Sequence, residues 1–337
     1  MALAQKIQTA WNKQAKWLIL LRPLSCLYGC AFAFNKALYH SGVKKIYHAP
    51  VPVVVIGNIT VGGSGKTPLL IQLVKYLQQH SVRVGVISRG YGGTGPFPKL
   101  VDTAATAKEV GDEPCLIVQR TGVPMAVGAN RQAAIELLLQ QYNLDLILSD
   151  DGLQHWALAR QIEWVVLDQG RGLGNEKLLP EGYLREPKSR LKEVTVIEHH
   201  PTPAATDYAM WLKVGKPYLL ETHAMPVFDA KQKFHVVVGI GYPERFYNSL
   251  ANIGVIHIQK HEFADHHDYN LNDFSFNDTL PIITTEKDAV KIQALLAQKL
   301  HSFVNPIWVL PVEAELSEPC YQLLQQQLQQ LNIPIRS

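Results

Sequence analysis

Val51-Pro52-Val53-Val54-Val55-Ile56-Gly57-Asn58-Ile59-Thr60-Val61-Gly62-Gly63-Ser64-Gly65-Lys66-Thr67 decides the fold. Val51 to Ile56 is a β-branched run with Pro52 near its start, where a missing N–H does least harm, and it reads as a buried strand. Gly57 to Thr67 is a glycine-rich turn, after which Leu69, Leu70, Leu73, Val74 and Leu77 recur at helical spacing up to His80. Strand, glycine-rich loop and helix in that order are the context of a phosphate-binding loop. Its backbone N–H groups converge on phosphate oxygens, and the helix N-terminus adds partial positive charge. Gly62, Gly63, Ser64 and Gly65 would form the cradle, Lys66 would reach the β- and γ-phosphates, and Thr67 would ligate magnesium. The full G-x-x-x-x-G-K-T pattern has glycine where this chain has Thr60, and the nearest upstream glycine is Gly57.

Such a loop needs a carboxylate for magnesium at the end of a hydrophobic strand, and Leu144-Asp145-Leu146-Ile147-Leu148-Ser149-Asp150-Asp151 supplies one. Asp150 is the expected metal ligand. Asp151 is either a second magnesium group or a base, or the pair caps a helix with Gly152. Asp150 stands 84 residues after Lys66, more than one βαβ unit, so further strands intervene. Val82 to Ile87, Met125 to Val127 and Trp164 to Leu167 read as those strands and their neighbours, with a helix from about Arg131 to Gln141. Strands alternating with helices imply a parallel sheet.

Around this centre, 337 residues at 47% hydrophobic and 18% charged are enough for two domains and exclude disorder, collagen and coiled coil. A net charge of +3 gives no case for nucleic acid. Four cysteines without a CxxC pair fit a reducing, cytosolic compartment, and Cys26 and Cys30 read as packed small hydrophobes. Trp17 to Phe34 is apolar, but Arg22 and Pro23 interrupt it and leave Leu24 to Phe34, too short to span a bilayer. Ala31-Phe32-Ala33 is A-x-A-like, yet the nucleotide motif that follows argues against export. With Lys6, Lys13 and Lys16 before it and Lys36, Lys44 and Lys45 after, the segment is either a helix in the headgroup region or a buried helix.

His199 to Thr206 breaks the pattern, and extended segments follow at Met210 and Leu219. His235 to Gly239, Gly254 to Ile258, Pro281 to Thr284 and Ile307 to Leu310 read as strands, Asp288 to Leu300 and Tyr321 to Leu331 as helices. The expectation is an α/β protein: an N-terminal segment over 1–45, a P-loop NTPase-like parallel sheet over 46–205, a second, smaller α/β domain over 206–315 and a C-terminal helix over 316–337.

Several blocks occur in a fixed order. They are Gly57 to Pro68, Ser88-Arg89-Gly90-Tyr91-Gly92, Gly111-Asp112-Glu113-Pro114, Asp150-Asp151-Gly152-Leu153-Gln154-His155, Leu184-Arg185-Glu186-Pro187, Phe263-Ala264-Asp265-His266-His267 and Thr284-Thr285-Glu286-Lys287-Asp288. Together they resemble the tetraacyldisaccharide 4′-kinase family of lipid A synthesis over nearly the whole chain. Thr60 fits that family's atypical loop start, whereas Ala264 stands where proline is expected.

The resemblance implies a peripheral enzyme on the cytoplasmic side of the inner membrane. It would move the γ-phosphate of ATP, with Mg2+, to the 4′-hydroxyl of a lipid-linked disaccharide 1-phosphate, giving lipid IVA. Such an acceptor stays at the membrane surface, because each CH₂ drawn into water costs ~0.8 kcal/mol, and an N-terminal interfacial helix meets it there. Asp112, in a Gly-Asp-Glu-Pro turn, matches the catalytic aspartate and His266 its histidine partner, a dyad that joins the two domains. Arg185 is positioned by the resemblance to stabilise the transferring phosphate, the alternative being an ion pair with Glu186. Glu113, Gln154, His155 and Asp151 complete the site. Arg89 is offered to the 1-phosphate or is a structural arginine.

Four other readings compete. His261, Asp265, His266, His267 and Asp268 have metal-ligand chemistry, without an accompanying Cys or H-E-x-x-H. Gly239-Ile240-Gly241 is a tight turn rather than a dinucleotide loop. A P-loop GTPase or metallochaperone switch would share the loop, but Thr285-Glu286-Lys287-Asp288 only mimics N-K-x-D; a P-loop kinase of a soluble small molecule lacks a reason for the basic, apolar N-terminus.

Overall fold

Five consecutive buried residues form strand β1 (Val53–Gly57), and a strand buried on both faces requires cover on both sides of its sheet. The computed structural model describes residues 3–204, 206–297 and 305–335. Helices α1 (Leu3–Asn12), α2 (Arg22–His40), α3 (Lys66–Gln79), α4 (Ala107–Val110), α5 (Asp112–Thr121) and α6 (Arg131–Gln141) fall in the first half, with α7 (Pro243–Asn252), α8 (Glu286–Ala297) and α9 (Glu318–Gln330) in the second. Strands β2 (Val84–Ser88), β3 (Lys99–Val101), β4 (Met125–Val127), β5 (Leu146–Asp150), β6 (Ile162–Asp168), β7 (Thr195–His200) and β8 (Ala209–Val214) follow β1. Then come β9 (Tyr218–Leu219), β10 (Phe234–Val238), β11 (Ile258–Glu262), β12 (Ile282–Thr285), β13 (Ile307–Leu310) and β14 (Val312–Leu316).

Among the described residues the large sheet runs β14-β8-β7-β6-β1-β5-β2-β4-β3, parallel throughout except for its two edge strands. β1 lies between β5 and β6, so the strand order reverses beside it, and the crevice beyond the carboxyl ends of Gly57 and Asp150 is where such sheets bind ligands. The second sheet runs β11-β10-β12-β13-β9.

The chain leaves the large sheet after Val214 and returns at Val312, so sheet membership changes at other positions than the expected 206 and 315. Ala209 and Met210 are buried and close the large core, which holds β8 in that sheet. β14 went unread because Glu313 and Glu315 flank its inward-facing Ala314 and Leu316. His199 and His200 complete β7 instead of breaking the pattern. Gly254 lies in a turn at φ +88°, and the strand expected from it begins only at Ile258, as a polar edge strand. Leu300, the expected end of α8, lies outside the described residues.

Pro23 sits in the first turn of α2, where its missing N–H was unpaired anyway, so it starts the helix rather than breaking it. With the 3₁₀ turn Lys16–Leu21, the helix makes one 25-residue run long and apolar enough to cross a membrane by length and composition. One flank docks on the body: Arg22 holds Glu181 at 2.9 Å, Ser25 Oγ donates to the Leu178 carbonyl and Tyr28 Oη to the Arg185 carbonyl. The other exposes Trp17, Ile19, Leu20, Leu24, Leu27 and Phe34. The buried-helix reading therefore fails, and Cys26 and Cys30 are exposed rather than packed.

Trp164 on β6 is fully buried, and its Nε1–H donates to Gln327 on α9 at 2.9 Å. Trp164→Ala should lower stability to urea by about 3–5 kcal/mol; a loss below about 1 kcal/mol would show that α9 is not fastened through this ring.

Candidate active site

The loop after β1 is wired before any ligand enters. Ile59 and Val61 exchange backbone hydrogen bonds with Arg185 and Tyr183, and Thr60 pairs with Leu184 across an antiparallel bridge. That pairing needs extended backbone, so position 60 has no call for glycine and accepts threonine. Gly62 and Gly65 both have φ +99°, and a Cβ on them would lie 2.5 Å from the Arg171 guanidinium and 2.6 Å from the His199 ring. Arg171 donates to the Val61 carbonyl at 2.7 Å, and His199 Nδ1–H donates to the Ser64 carbonyl at 2.8 Å. Arg245 on α7 reaches over from the second sheet to the Gly63 carbonyl and pairs with Asp168. Gly241 lies close enough to the Gly63 N–H that a Cβ there would approach within 3.1 Å.

Lys66 opens α3 and Thr67 follows it. At the end of β5, Asp150 is buried; Ser88 Oγ donates to its Oδ2 at 3.0 Å, while its Oδ1 has no hydrogen-bond partner among the described residues. Burial, with Glu113 and Asp151 nearby, pushes Asp150 up to about 7. A bare, buried carboxylate oxygen fits a divalent cation, which would supply the missing positive charge. Asp151, at φ +46°, takes Arg185 bidentately at 2.9 and 3.0 Å and Lys66 at 3.5 Å. Burial opposes its charge, but Lys66 and Arg185 overcome that and hold it below the ordinary carboxylate range. Asp151 caps no helix, and Arg185 pairs with Asp151 rather than Glu186, which is buried against Gln154 and Arg190.

Asp112 is not in a turn: it is the first residue of α5 and is buried there. His266 Nδ1 lies 2.9 and 3.0 Å from its two oxygens. Burial would raise Asp112, but the His266 hydrogen bond and the charges of Lys287 and Lys291 hold it low. Burial likewise disfavours the His266 cation, yet the Asp112 carboxylate raises its pKa. Lys287 donates to Glu113 at 3.1 Å and to Asp265 at 3.4 Å, joining the two sheets at this point. Tyr91 meets the His266 ring edge-on.

Gln154 bonds the Asn58 carbonyl and Glu186, so it braces the loop from beneath. His155 sits beside Arg131, Arg160 and Arg89, and burial with those charges lowers it to about 4. Arg89 is exposed at the end of β2 rather than packed as a structural arginine. Among the described residues no three or more of His, Cys, Asp and Glu come together as a metal site, and His266 and His267 pair instead with Asp112 and Asp273. Sequence reasoning missed Asp168, Arg171, His199, Arg245, Lys287 and Lys291. Asp168 was findable as a second acidic strand end at the crevice, and Lys287 stood in a motif already quoted.

A phosphate loop with its lysine, a buried acidic strand end and a carboxylate–histidine pair facing them define a P-loop phosphotransferase. A model of the family described as tetraacyldisaccharide-1-P 4′-kinase matches residues 17–329. A tetraacyldisaccharide 4′-kinase of Psychrobacter cryohalolentis is 47% identical over 98% of this chain and 97% of its own, and one of Pseudomonas syringae pv. tomato is 43% identical over 98% and 100%. A crystal structure of the "apo" form of LpxK from Aquifex aeolicus in complex with ATP superposes with a TM-score of 0.74 at 26% identity, covering 93% of this chain and 99% of that one. The chain belongs to the tetraacyldisaccharide 4′-kinase family and is a kinase of lipid A biosynthesis. The switch and soluble-substrate readings fall away.

Burial with Arg245 nearby also lowers His199 to about 4. In the unfolded chain both histidines protonate near ~6.5, so the stability they confer is lost as pH falls from there to about 4. The melting temperature should drop across that window, and His155→Gln should flatten part of the slope; an unchanged slope in the variant would contradict its neutral burial.

Proposed function

We propose that this kinase transfers the γ-phosphate of ATP, with Mg2+, to the 4′-hydroxyl of tetraacyldisaccharide 1-phosphate, giving lipid IVA. The observation that carries the reading is the Asp112–His266 contact, made between residues 154 positions apart and set beside the phosphate loop. Gly62, Gly63, Ser64, Gly65 and Lys66 would hold the phosphates, Thr60 shapes the loop start, and Thr67, Asp150 and Asp151 would hold the magnesium. When bound, the ion neutralises charge on the β- and γ-phosphate oxygens. Asp112 receives the proton of the attacking hydroxyl, and His266 shares it. Arg185, held by Asp151, offers its guanidinium to the transferring phosphoryl group. Glu113 places Lys287, Gln154 and His155 support the loop and the Asp150 turn, and exposed Arg89 is available to the acceptor's 1-phosphate.

The reading includes peripheral binding on the cytoplasmic face of the inner membrane, and the exposed flank of α2 supports the membrane contact, not the side. Its docked flank ties Tyr28 to Arg185, so a headgroup-depth helix would lie alongside the transfer site without drawing acyl chains into water.

Asp112→Asn should leave nucleotide binding intact and cut kcat on tetraacyldisaccharide 1-phosphate by about 10²–10⁴; near-normal turnover would remove Asp112 from the base role. Leu20→Glu with Leu27→Glu should abolish cosedimentation with phospholipid vesicles, whereas full retention on the membrane would defeat the interfacial helix.

A further inference from the structure

Two partly buried lysines of α8 face the dyad, and the transfer chemistry uses neither, although Glu113 places Lys287. Lys291 Nζ lies 3.8 Å and Lys287 Nζ 4.0 Å from Asp112 Oδ2, and Lys287 Nζ also stands 3.4 Å from His266 Nε2. A charged ammonium has three donors and no acceptor, so the ring nitrogen it faces at hydrogen-bond distance is the unprotonated one. The proton of neutral His266 then sits on Nδ1 and is donated to Asp112.

We propose that Lys287 is a positioning residue that fixes the Nδ1–H tautomer of His266 and, with Lys291, keeps Asp112 ionised and ready to accept the hydroxyl proton. The proposal deepens the kinase reading and rests on it for its kinetic arm only.

The surroundings agree. Lys287 is anchored by Glu113 and Asp265, Lys291 by Asp288 at 3.0 Å with its ammonium over the Tyr269 ring. On its own helix Asp112 faces Cys115, and Asp265 also stands 3.8 Å from His266 Nε2. Arg120 of α5 pairs with Glu286, fixing α8 so that residues one and five positions later arrive at the start of α5. Burial works against the Lys287 charge, but Glu113, Asp112 and Asp265 keep it protonated throughout the neutral range. A second proton on His266 would place an N–H opposite that ammonium, so Lys287 favours the base-competent ring, while Lys291 favours the ionised Asp112 carboxylate. Removing Lys287 lets both Asp112 and His266 take protons at higher pH, and removing Lys291 does so for Asp112.

The kinetic test compares kcat against pH for the full-length enzyme and for Lys287→Met, Lys287→Arg and Lys291→Met, with nucleotide affinity measured alongside. The acid limb should move up by about one pH unit in each methionine variant, a tenfold loss on the limb that fades at high pH. Lys287→Arg, which keeps the charge, should hold the limb near its original position. Loss of kcat by one factor at every pH in whichever methionine variant folds would overturn the proposal and leave the lysines as interface ties. ¹⁵N NMR of the His266 imidazole provides an arm independent of turnover: the unmodified protein should show Nδ1 protonated and Nε2 bare, and an Nε2–H tautomer would refute it. If the tautomer is as expected but the lipid is not phosphorylated, the kinase reading fails and the lysine inference stands.

Discussion

The hydrogen bond between Asp112 and His266 constrains everything around it. Asp112 is the first residue of a helix packed on the large sheet, and His266 sits at φ +60° in the loop that follows β11 of the small sheet. Neither sheet contains both members of the pair. On the proposed roles, the groups that would grip phosphate and the group that would receive a proton are coupled through the contact of two sheets, which Lys287 bridges from Glu113 to Asp265 and Arg245 bridges to Gly63. Assembly of the site and exclusion of water then become one event, the logic by which kinases limit wasteful hydrolysis of ATP.

Electrostatics divides labour between adjacent carboxylates. Asp150 and Asp151 are neighbours in sequence, yet burial leaves one with an unsatisfied oxygen while Lys66 and Arg185 saturate the other. The difference comes from the abrupt φ +46° at Asp151, which turns its side chain out of the strand and toward the cations. The strand end therefore presents one oxygen suited to a divalent ion and one clamp that orients Arg185.

The large sheet was legible because buried parallel strands are written as β-branched runs and its central loop has a period of its own. Met125 to Val127 and Arg131 to Gln141 fall where the pattern places them. β14 and β11 were illegible for one reason: an edge strand needs few apolar residues, and Glu313, Glu315, Gln259 and Lys260 disguise them. Within the site, Lys66 and Asp150 follow from local spacing. Asp112 and His266 do not, since a pair separated by 154 residues leaves no periodic trace, and only the resemblance of the ordered motifs named them. The supporting cations escaped because a lysine on a helix ordinarily signals a solvated face, whereas Lys287 and Lys291 are partly buried against carboxylates.

The account is tested most directly by following labelled γ-phosphate from ATP and magnesium into tetraacyldisaccharide 1-phosphate in mixed micelles, with GTP and a soluble glucosamine as controls. It predicts labelled lipid with ATP, no labelled soluble sugar, and losses in Asp112→Ala and His266→Ala that do not add in the double variant, because the two side chains act as one unit. Undiminished lipid labelling by the double variant, or transfer to the soluble sugar at the same rate, would contradict it.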